Sequence, residues 1–342
     1  MNSVDFHPPS EAKLLYPPEV IAPYFKSSTD QQIAHFVHSL EAANAFLQDH
    51  PKEGLVAGKG RPKGLGQALQ YFKDEMFLTL YAFISLDLAG SEAHLAERER
   101  LLTELLHVAL PKLDVSVTAP SLELEKQVSP PKGYSKILEA LYASEPESCH
   151  PVWYLRALGS GNGSLEGATH SDAMLTYAAN CTVMFEAKFL SDISTSTTYA
   201  PERNQLTRNL DAGLAAVNFE LERFSYVFVT PQRFRNRPES RFYGYKLREY
   251  MEPEAGAVAL ERDLPHLSHL VDFAELSRHI GWITWEEICG LLAGSPVFCS
   301  PAFPHEDFEA FFRERCLWPE GKSRMADIKM EATRAFGSEL DS

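Results

Sequence analysis

The feature that most constrains the fold is the order of apolar segments in the middle third of the chain. Val152–Leu158, Thr169–Tyr177 and Thr182–Leu190 have the length and apolar content of β-strands. A helical stripe follows over residues 201–223, and Phe224–Thr230 again has the pattern of a strand. The order strand, strand, strand, helix, strand predicts an α/β core, because a helix that joins two strands packs against their sheet.

Segments with apolar residues at helical spacing flank this core on both sides. They are residues 30–49, 67–86, 91–110, 273–280 and 285–292. Residues 111–133 have the composition of a linker or surface loop. We therefore expect a mainly helical N-terminal region over residues 1–145, a core over 146–250 and a helical C-terminal extension over 251–342.

The distribution of charge is uneven along the chain. The formal net charge of -15 argues against a protein that coats nucleic acid non-specifically, because phosphate binding depends on lysine and arginine. Residues 156–248 nevertheless contain eleven basic and nine acidic side chains, and residues 232–248 contain six basic side chains and one acid, Glu239. The basic positions are Arg233, Arg235, Arg237, Arg241, Lys246 and Arg248. This segregation allows one surface to bind an anionic ligand.

Several features predict a cytoplasmic protein that does not enter a membrane. The first six residues include Asp5 and contain no apolar stretch typical of a secretion signal. The longest apolar run, Met76–Leu86, is too short to span a bilayer and is typical of a buried helix. The five cysteines form no CxxC pair, and we interpret them as reduced thiols.

The segments that carry candidate chemistry are His170-Ser171-Asp172 and Phe185-Glu186-Ala187-Lys188-Phe189. Residues two apart share a strand face, so Glu186 and Lys188 should project together, opposite the apolar side chains. If the hairpin turns at residue 179, Asp172 lies across from Glu186, with side chains roughly 5 Å apart. Two carboxylates that close repel each other unless a cation or a proton lies between them. Hard divalent cations such as Mg²⁺ favour such oxygen ligands.

Asp172, a thirteen-residue gap and then Glu186-x-Lys188 in an apolar strand resemble the PD-(D/E)xK nuclease superfamily. The resemblance covers about residues 150–232 and implies a restriction-endonuclease-like core, in which helices flank a mixed sheet. It implies that Asp172 and Glu186 bind Mg²⁺ or Mn²⁺ and that Lys188 supports the attacking water. The implied activity is hydrolysis of phosphodiester bonds in nucleic acid, with DNA as the expected substrate.

The resemblance also directs attention to residues outside the motif. Ser171 stands before the aspartate where the superfamily often has proline. Members often use another acid from a preceding helix, and Glu104 and Glu139 are both candidates for this additional ligand. Arg203, near the start of the helix that follows, is placed to meet a scissile phosphate, and Gln205 is a weaker candidate for the same role. The structural alternative for Arg203 is an ion pair with Glu202 or Asp192.

Two other interpretations of these residues stay open. Asp172, Glu186 and Lys188 can be an exposed cross-strand salt-bridge cluster with no chemical role. The chain can also be a catalytically silent member of the superfamily that binds nucleic acid or assembles with other proteins. The acidic net charge favours this second function, or else a partner protein that delivers the DNA. Neighbouring Asp172 and Glu186 carboxylates that open to a groove would favour the enzyme, and burial under the flanking helices would oppose it.

Overall fold

The computed structural model describes residues 12–26, 29–49, 71, 73–129, 168–178, 180–194 and 203–319. The α-helices in these ranges are α1 (Pro18–Ile21), α2 (Thr29–Asp49), α3 (Glu75–Leu86), α4 (Leu95–Ala109), α5 (Gln205–Ala216), α6 (Gln232–Arg235), α7 (Phe242–Met251), α8 (Pro253–Asp263), α9 (Phe273–Arg278), α10 (Trp285–Ala293) and α11 (His305–Glu314). The short 3-10 helices are Ala22–Tyr24, Leu88–Gly90, Glu92–His94, Leu221–Arg223, Pro238–Ser240 and Pro265–Leu267. The strands are β1 (Ser121–Val128), β2 (Thr169–Tyr177), β3 (Cys181–Ala187), β4 (Phe224–Thr230) and β5 (Ile280–Thr284).

The five strands form one mixed sheet in the order β1-β2-β3-β4-β5. β1, β2 and β3 pair antiparallel, whereas β3, β4 and β5 pair parallel. α5 lies in the connection between the parallel strands β3 and β4, as a crossover between parallel strands requires. The protein is therefore α/β, with a mixed sheet and flanking helices, as the sequence predicts at this level.

Helices cover both faces of the sheet. On one face, Phe185 and Val227 pack in a core that includes buried residues of α3, α4, α10 and α11. On the other face, Met184 and Phe228 pack with buried residues of α5, α7, α8 and α9. Successive residues of β3 and β4 point to opposite faces of the sheet. Because both faces are covered, the two strands consist almost entirely of apolar residues.

Several elements agree closely with the sequence patterns. The bounds of β2 and β4 are those expected, and α2, α9 and α10 lie within two residues of their predicted ranges. The Ser91 hydroxyl accepts a hydrogen bond from the Ala93 amide, so Ser91 is an N-cap as predicted, although it caps the 3-10 helix Glu92–His94 that precedes α4. The side chains of Phe185, Ala187 and Phe189 lie in one core, as predicted.

Three expectations about local structure are wrong. Residues 121–128, expected in a linker, form β1. The segment has little apolar patterning of its own, but pairing with β2 satisfies its backbone hydrogen-bonding groups. The continuous helix expected over residues 67–86 is interrupted at Asp74, an extended N-cap whose carboxylate accepts a hydrogen bond from the Met76 amide; Tyr71 and Lys73 are helical, and residues 67–70 and 72 lie outside the described residues. The helix expected over residues 201–223 runs only over Gln205–Ala216, where the Asn204 side chain caps it.

The sheet draws strands from all three expected regions of the chain. β1 comes from the N-terminal region and β5 from the C-terminal extension, beyond the core expected over residues 146–250. The candidate strand Val152–Leu158 lies outside the described residues. No helix in the described part of the chain is both long and apolar enough to cross a membrane.

Candidate active site

Paired strands bring Asp172 and Glu186 side by side. β2 and β3 have the register predicted from a turn at residue 179, with Ala173 opposite Phe185. Extending this register by one residue places Asp172 opposite Glu186. Asp172 Oδ2 accepts a hydrogen bond of 2.6 Å from the backbone amide of Ala187. The Asp172 carboxylate is thus held against the residue that separates Glu186 from Lys188.

Protein donors surround the Glu186 carboxylate. Its Oε1 accepts hydrogen bonds from Lys188 Nζ at 2.5 Å and from Gln205 Nε2 at 2.7 Å. Its Oε2 accepts a hydrogen bond of 2.8 Å from Asn209 Nδ2, and Asn209 Oδ1 in turn accepts one from the Thr169 hydroxyl. Gln205 and Asn209 lie one turn apart on α5, so the helix that connects β3 and β4 also orients this carboxylate.

Lys188 follows the last residue of β3 and is anchored through its backbone. Its amide donates to Val229 O at 2.8 Å, and its carbonyl accepts a hydrogen bond of 3.0 Å from Trp285 Nε1. Burial alone would lower the pKa of the Lys188 ammonium, but the carboxylates of Glu186 and Asp172 outweigh this effect and raise it. Lys188 is therefore a cation at neutral pH, suited to donate hydrogen bonds and to stabilise negative charge.

Burial disfavours the ionised forms of both carboxyl groups of the site, and Lys188 offsets this only in part. Burial raises the pKa of Asp172 well above its usual range, and the charge of Glu186 raises it further. Burial also raises the pKa of Glu186, against the opposing effect of the Lys188 ammonium. Each ionised carboxyl thus costs free energy here, and a bound cation or proton would offset that cost.

Two acids that the sequence interpretation did not single out belong to the same neighbourhood. Glu125 of β1 and Asp172 line one crevice that is too narrow to hold a water molecule, and burial together with the charge of Glu186 raises the pKa of Glu125 to about 7. Glu75, the first residue of α3, accepts hydrogen bonds through Oε1 from the Phe189 amide and the Ser191 hydroxyl. Glu75 also contributes to the electrostatic environment of both Glu186 and Lys188.

These positions carried weak signals in the sequence. Glu75 begins an apolar helix directly after an N-capping aspartate, and Leu122 and Leu124 alternate with acids just before Glu125. Glu104, one candidate for the additional acid, is instead half exposed on α4 and pairs with Arg100 at 2.7 Å. Glu139, the other candidate, lies outside the described residues.

Arg203 occupies a different environment from the one expected at a scissile phosphate. Its side chain is buried, and Nη2 forms an ion pair of 2.6 Å with Asp211 Oδ2. Asp192, a partner considered for it, instead accepts the amides of Phe242 and Tyr243 at the start of α7. It is Gln205, rather than Arg203, that contacts Glu186.

The donor chemistry at this site fits a hard divalent cation. Asp172 and Glu186 offer carboxylate oxygens, and their raised pKa values show that burial makes their ionised forms costly beyond what Lys188 offsets. Within the described ranges, however, no three Asp, Glu, His or Cys side chains converge as a ready-made metal site. Because Glu186 Oε1 already accepts two hydrogen bonds, an ion bound there would have to replace Lys188 or Gln205.

The site is more closed than an exposed salt-bridge ladder. Glu186 is 1% exposed and Lys188 is 8% exposed, whereas Asp172 is half buried. This degree of burial argues against a surface ion-pair cluster, in which solvent would screen the charges. For Glu186 the same burial opposes the enzyme by the criterion given above, and it leaves Asp172 as the member of the set that solvent reaches most readily.

Comparison with known proteins identifies no relative: no protein-family profile, curated protein or solved structure matches the chain. The function of the chain is therefore inferred from the chemistry of the site itself.

Proposed function

We propose that the protein is a metal-dependent nuclease with a core of the PD-(D/E)xK, restriction-endonuclease-like type. In this proposal it hydrolyses phosphodiester bonds of nucleic acid, with DNA as the first substrate to test and Mg²⁺ or Mn²⁺ as cofactor. Asp172 and Glu186 are the proposed metal ligands, and Lys188 is the proposed third catalytic residue. Arg203 stays a sequence-based candidate whose ion pair with Asp211 favours a positioning role.

The observation that carries the proposal is the grouping of these three side chains at one end of two paired strands. Asp172 contacts the Ala187 amide, and Lys188 Nζ lies 2.5 Å from Glu186. The parallel crossover from β3 through α5 to β4 also agrees with the strand–helix–strand order that the resemblance implies. Burial and mutual repulsion at this place raise the free energy of the ionised acids, as is common at functional sites.

A divalent cation bound by Asp172 and Glu186 would polarise a phosphate oxygen and lower the pKa of a bound water. The chain's own residues then have distinct roles. Because its pKa is raised, the Lys188 ammonium would orient a water and stabilise charge that develops on the phosphate, rather than abstract a proton. Gln205 and Asn209 would hold the Glu186 carboxylate in a fixed orientation.

A second function, a catalytically silent binding or assembly module, is favoured by one specific observation. Both oxygens of Glu186 are satisfied by protein donors, and the side chain is almost fully buried. A buried ion pair whose oxygens are all hydrogen-bonded by protein groups can have a purely structural role. The two functions differ in whether a divalent ion binds at Asp172 and Glu186.

The deciding experiment combines cleavage with metal binding. Supercoiled, linear, single-stranded and branched DNA and an RNA are incubated with the protein in Mg²⁺, Mn²⁺ or EDTA. Asp172→Asn and Lys188→Ala are compared with the matched control Glu261→Gln, which alters an exposed carboxylate on α8. Calorimetry measures Mn²⁺ binding to each protein.

We expect metal-dependent cutting that both site variants abolish and that Glu261→Gln retains. Mn²⁺ binding should be lost or weakened in Asp172→Asn, while thermal unfolding shows that the variant is folded. Absence of both cutting and Mn²⁺ binding in the unaltered protein would refute the nuclease and favour the silent module. Cutting that survives in Asp172→Asn and Lys188→Ala would refute this assignment of the site.

A further inference from the structure

The basic segment that follows β4 separates into paired and unpaired side chains. Arg235 binds Glu287 through two hydrogen bonds, and Lys246 pairs with Glu249 and Asp263. The remaining members form no salt bridge with any residue in the described part of the chain. They are Arg233, Arg237, Arg241 and Arg248.

Two of the unpaired arginines lie over one aromatic ring, and a third is close to it along the chain. The guanidinium carbon of Arg233 lies 5.0 Å from the centroid of the Phe234 ring, and that of Arg241 lies 4.4 Å from it. Arg237 is exposed, and its backbone amide donates to Phe234 O at 3.2 Å. Arg233, Arg237 and Arg241 are hereafter the arginine ledge. Contact with an aromatic ring holds a guanidinium in place while the N–H donors at its edge stay free for an anion.

The arginine ledge is connected directly to the end of β3 that carries Lys188. Arg233 lies 5.7 Å from the ring centroid of Phe189, the residue after Lys188. Arg241 Nη2 donates to Leu190 O at 3.3 Å, whereas its buried Nε has no hydrogen-bond partner. The same short segment therefore carries the candidate catalytic lysine and supports two arginines of the ledge.

The surroundings of the ledge favour a polyanion with bases over an isolated anion. Three cations within one short segment match the repeated charges of a phosphate backbone. Tyr245, one helical turn after Arg241, is 60% exposed and offers a surface on which a base can stack. The negative charge of the neighbouring Glu286 offsets the positive charge of the ledge only in part. Burial raises the pKa of Glu286 to about 7, and its carboxylate already accepts a hydrogen bond from the Gln232 amide.

We propose that the arginine ledge binds the phosphate backbone of nucleic acid and directs a strand toward Asp172, Glu186 and Lys188. The direction toward that site rests on the proposed nuclease function, whereas backbone binding does not. The ledge explains how a chain with a net charge of -15 can hold nucleic acid, because three arginines that form no salt bridge within the described residues lie close together.

The test measures binding in the absence of cleavage. Fluorescence anisotropy follows a labelled DNA duplex and its separate strand in EDTA, over a series of NaCl concentrations. The double variant Arg233→Gln/Arg237→Gln alters two exposed side chains and should fold normally, which thermal unfolding checks. The matched control is Arg223→Gln, which removes a half-exposed arginine before β4, at the opposite end of that strand.

We expect the double variant to bind both probes more weakly and to show a shallower dependence of log Kd on log salt. The slope should change by about 0.7–0.9 for each phosphate contact that is lost, and Arg223→Gln should match the unaltered protein. An unchanged slope in a folded double variant, an equal change in Arg223→Gln, or no binding by the unaltered protein would each overturn the ledge.

The same proteins distinguish this proposal from the nuclease. Binding that depends on the ledge, without metal-dependent cleavage, would support the ledge and refute the nuclease. Cleavage that requires Asp172 but is indifferent to Arg233 and Arg237 would support the nuclease and refute the ledge. Phosphopeptide binding in place of DNA binding would also refute it, because the proposal requires a nucleic-acid backbone.

Discussion

Glu125→Gln should make the metal-free protein more stable, although a charged residue is lost. Glu125 lies on β1 beside Asp172, and burial and the negative charge of Glu186 raise its pKa from 4.5 to about 7. At ~1.4 kcal/mol for each unit of pKa, ionised Glu125 would lower the free energy of unfolding by up to about 3 kcal/mol. Because the side chain is only half buried, solvent screening reduces our expectation to about 1–2 kcal/mol.

The effect should have a defined dependence on pH. Below pH 4.5, the Glu125 carboxyl is protonated in both the folded and the unfolded chain, so ionisation contributes nothing. Between that value and a pH of about 7, the unfolded chain ionises first, and the free energy of unfolding of the unaltered protein falls as pH rises. Glutamine does not titrate, so the advantage of Glu125→Gln should grow across this window and then stay constant.

Urea unfolding, followed by tryptophan fluorescence on both sides of the window, measures this difference. The matched control is Glu261→Gln, an exposed position on α8, which should change the free energy of unfolding by less than about 0.5 kcal/mol. A stability difference for Glu125→Gln that is independent of pH, or a loss of stability above the window, would refute the electrostatic account of the site.

Three further changes test the packing around the same region. Lys188→Met leaves the buried carboxylate of Glu186 without its cation, so the free energy of unfolding, measured by urea denaturation, should fall by about 3 kcal/mol. An unchanged free energy would contradict the stabilising role of the buried ion pair. Gly281→Ala places a Cβ 2.4 Å from Ala109 O, and urea denaturation should show a loss of about 1–3 kcal/mol, whereas wild-type stability would contradict this close approach. Thr284→Ala removes the capping box of α10 and should lower the free energy of unfolding by about 1 kcal/mol, measured by thermal unfolding. An unchanged free energy would show that the cap does not stabilise α10.

Local patterns in the sequence were sufficient for the central strands and their pairing. β2 and β4 have alternating or continuous apolar runs with clear ends, and the short connection near residue 179 leaves one hairpin register that aligns Asp172 with Glu186. The same register predicted which β3 side chains enter the core, including Phe185 and Ala187. These features depend on neighbours close in sequence, which is why they could be predicted from residues alone.

Polar segments and distant partners were harder to predict. In β1, the alternation of apolar residues is limited to Leu122 and Leu124. It ends at Glu125, where the backbone departs from the extended conformation with a φ of 50°. Its place in the sheet follows from pairing with β2 about fifty residues later, which no local pattern encodes. Likewise, the sequence offered Glu104 and Glu139 as the additional acid; Glu104 pairs with Arg100 instead, Glu139 lies outside the described residues, and the fold brings Glu75 and Glu125 to the site.

The α/β class, the hairpin and the grouping of Asp172, Glu186 and Lys188 follow from local residue patterns, because strand periodicity fixes which neighbouring side chains share a face. The burial of those groups and the donors that α5 supplies to Glu186 follow instead from the packing of distant elements. The same packing decides that Arg235 is paired while Arg233 and Arg241 are not, since the partner carboxylates come from helices far along the chain. Burial and charge pairing depend on the whole set of packed elements, and these two properties set the pKa values of the site and leave the arginines of the proposed anion-binding surface without salt bridges.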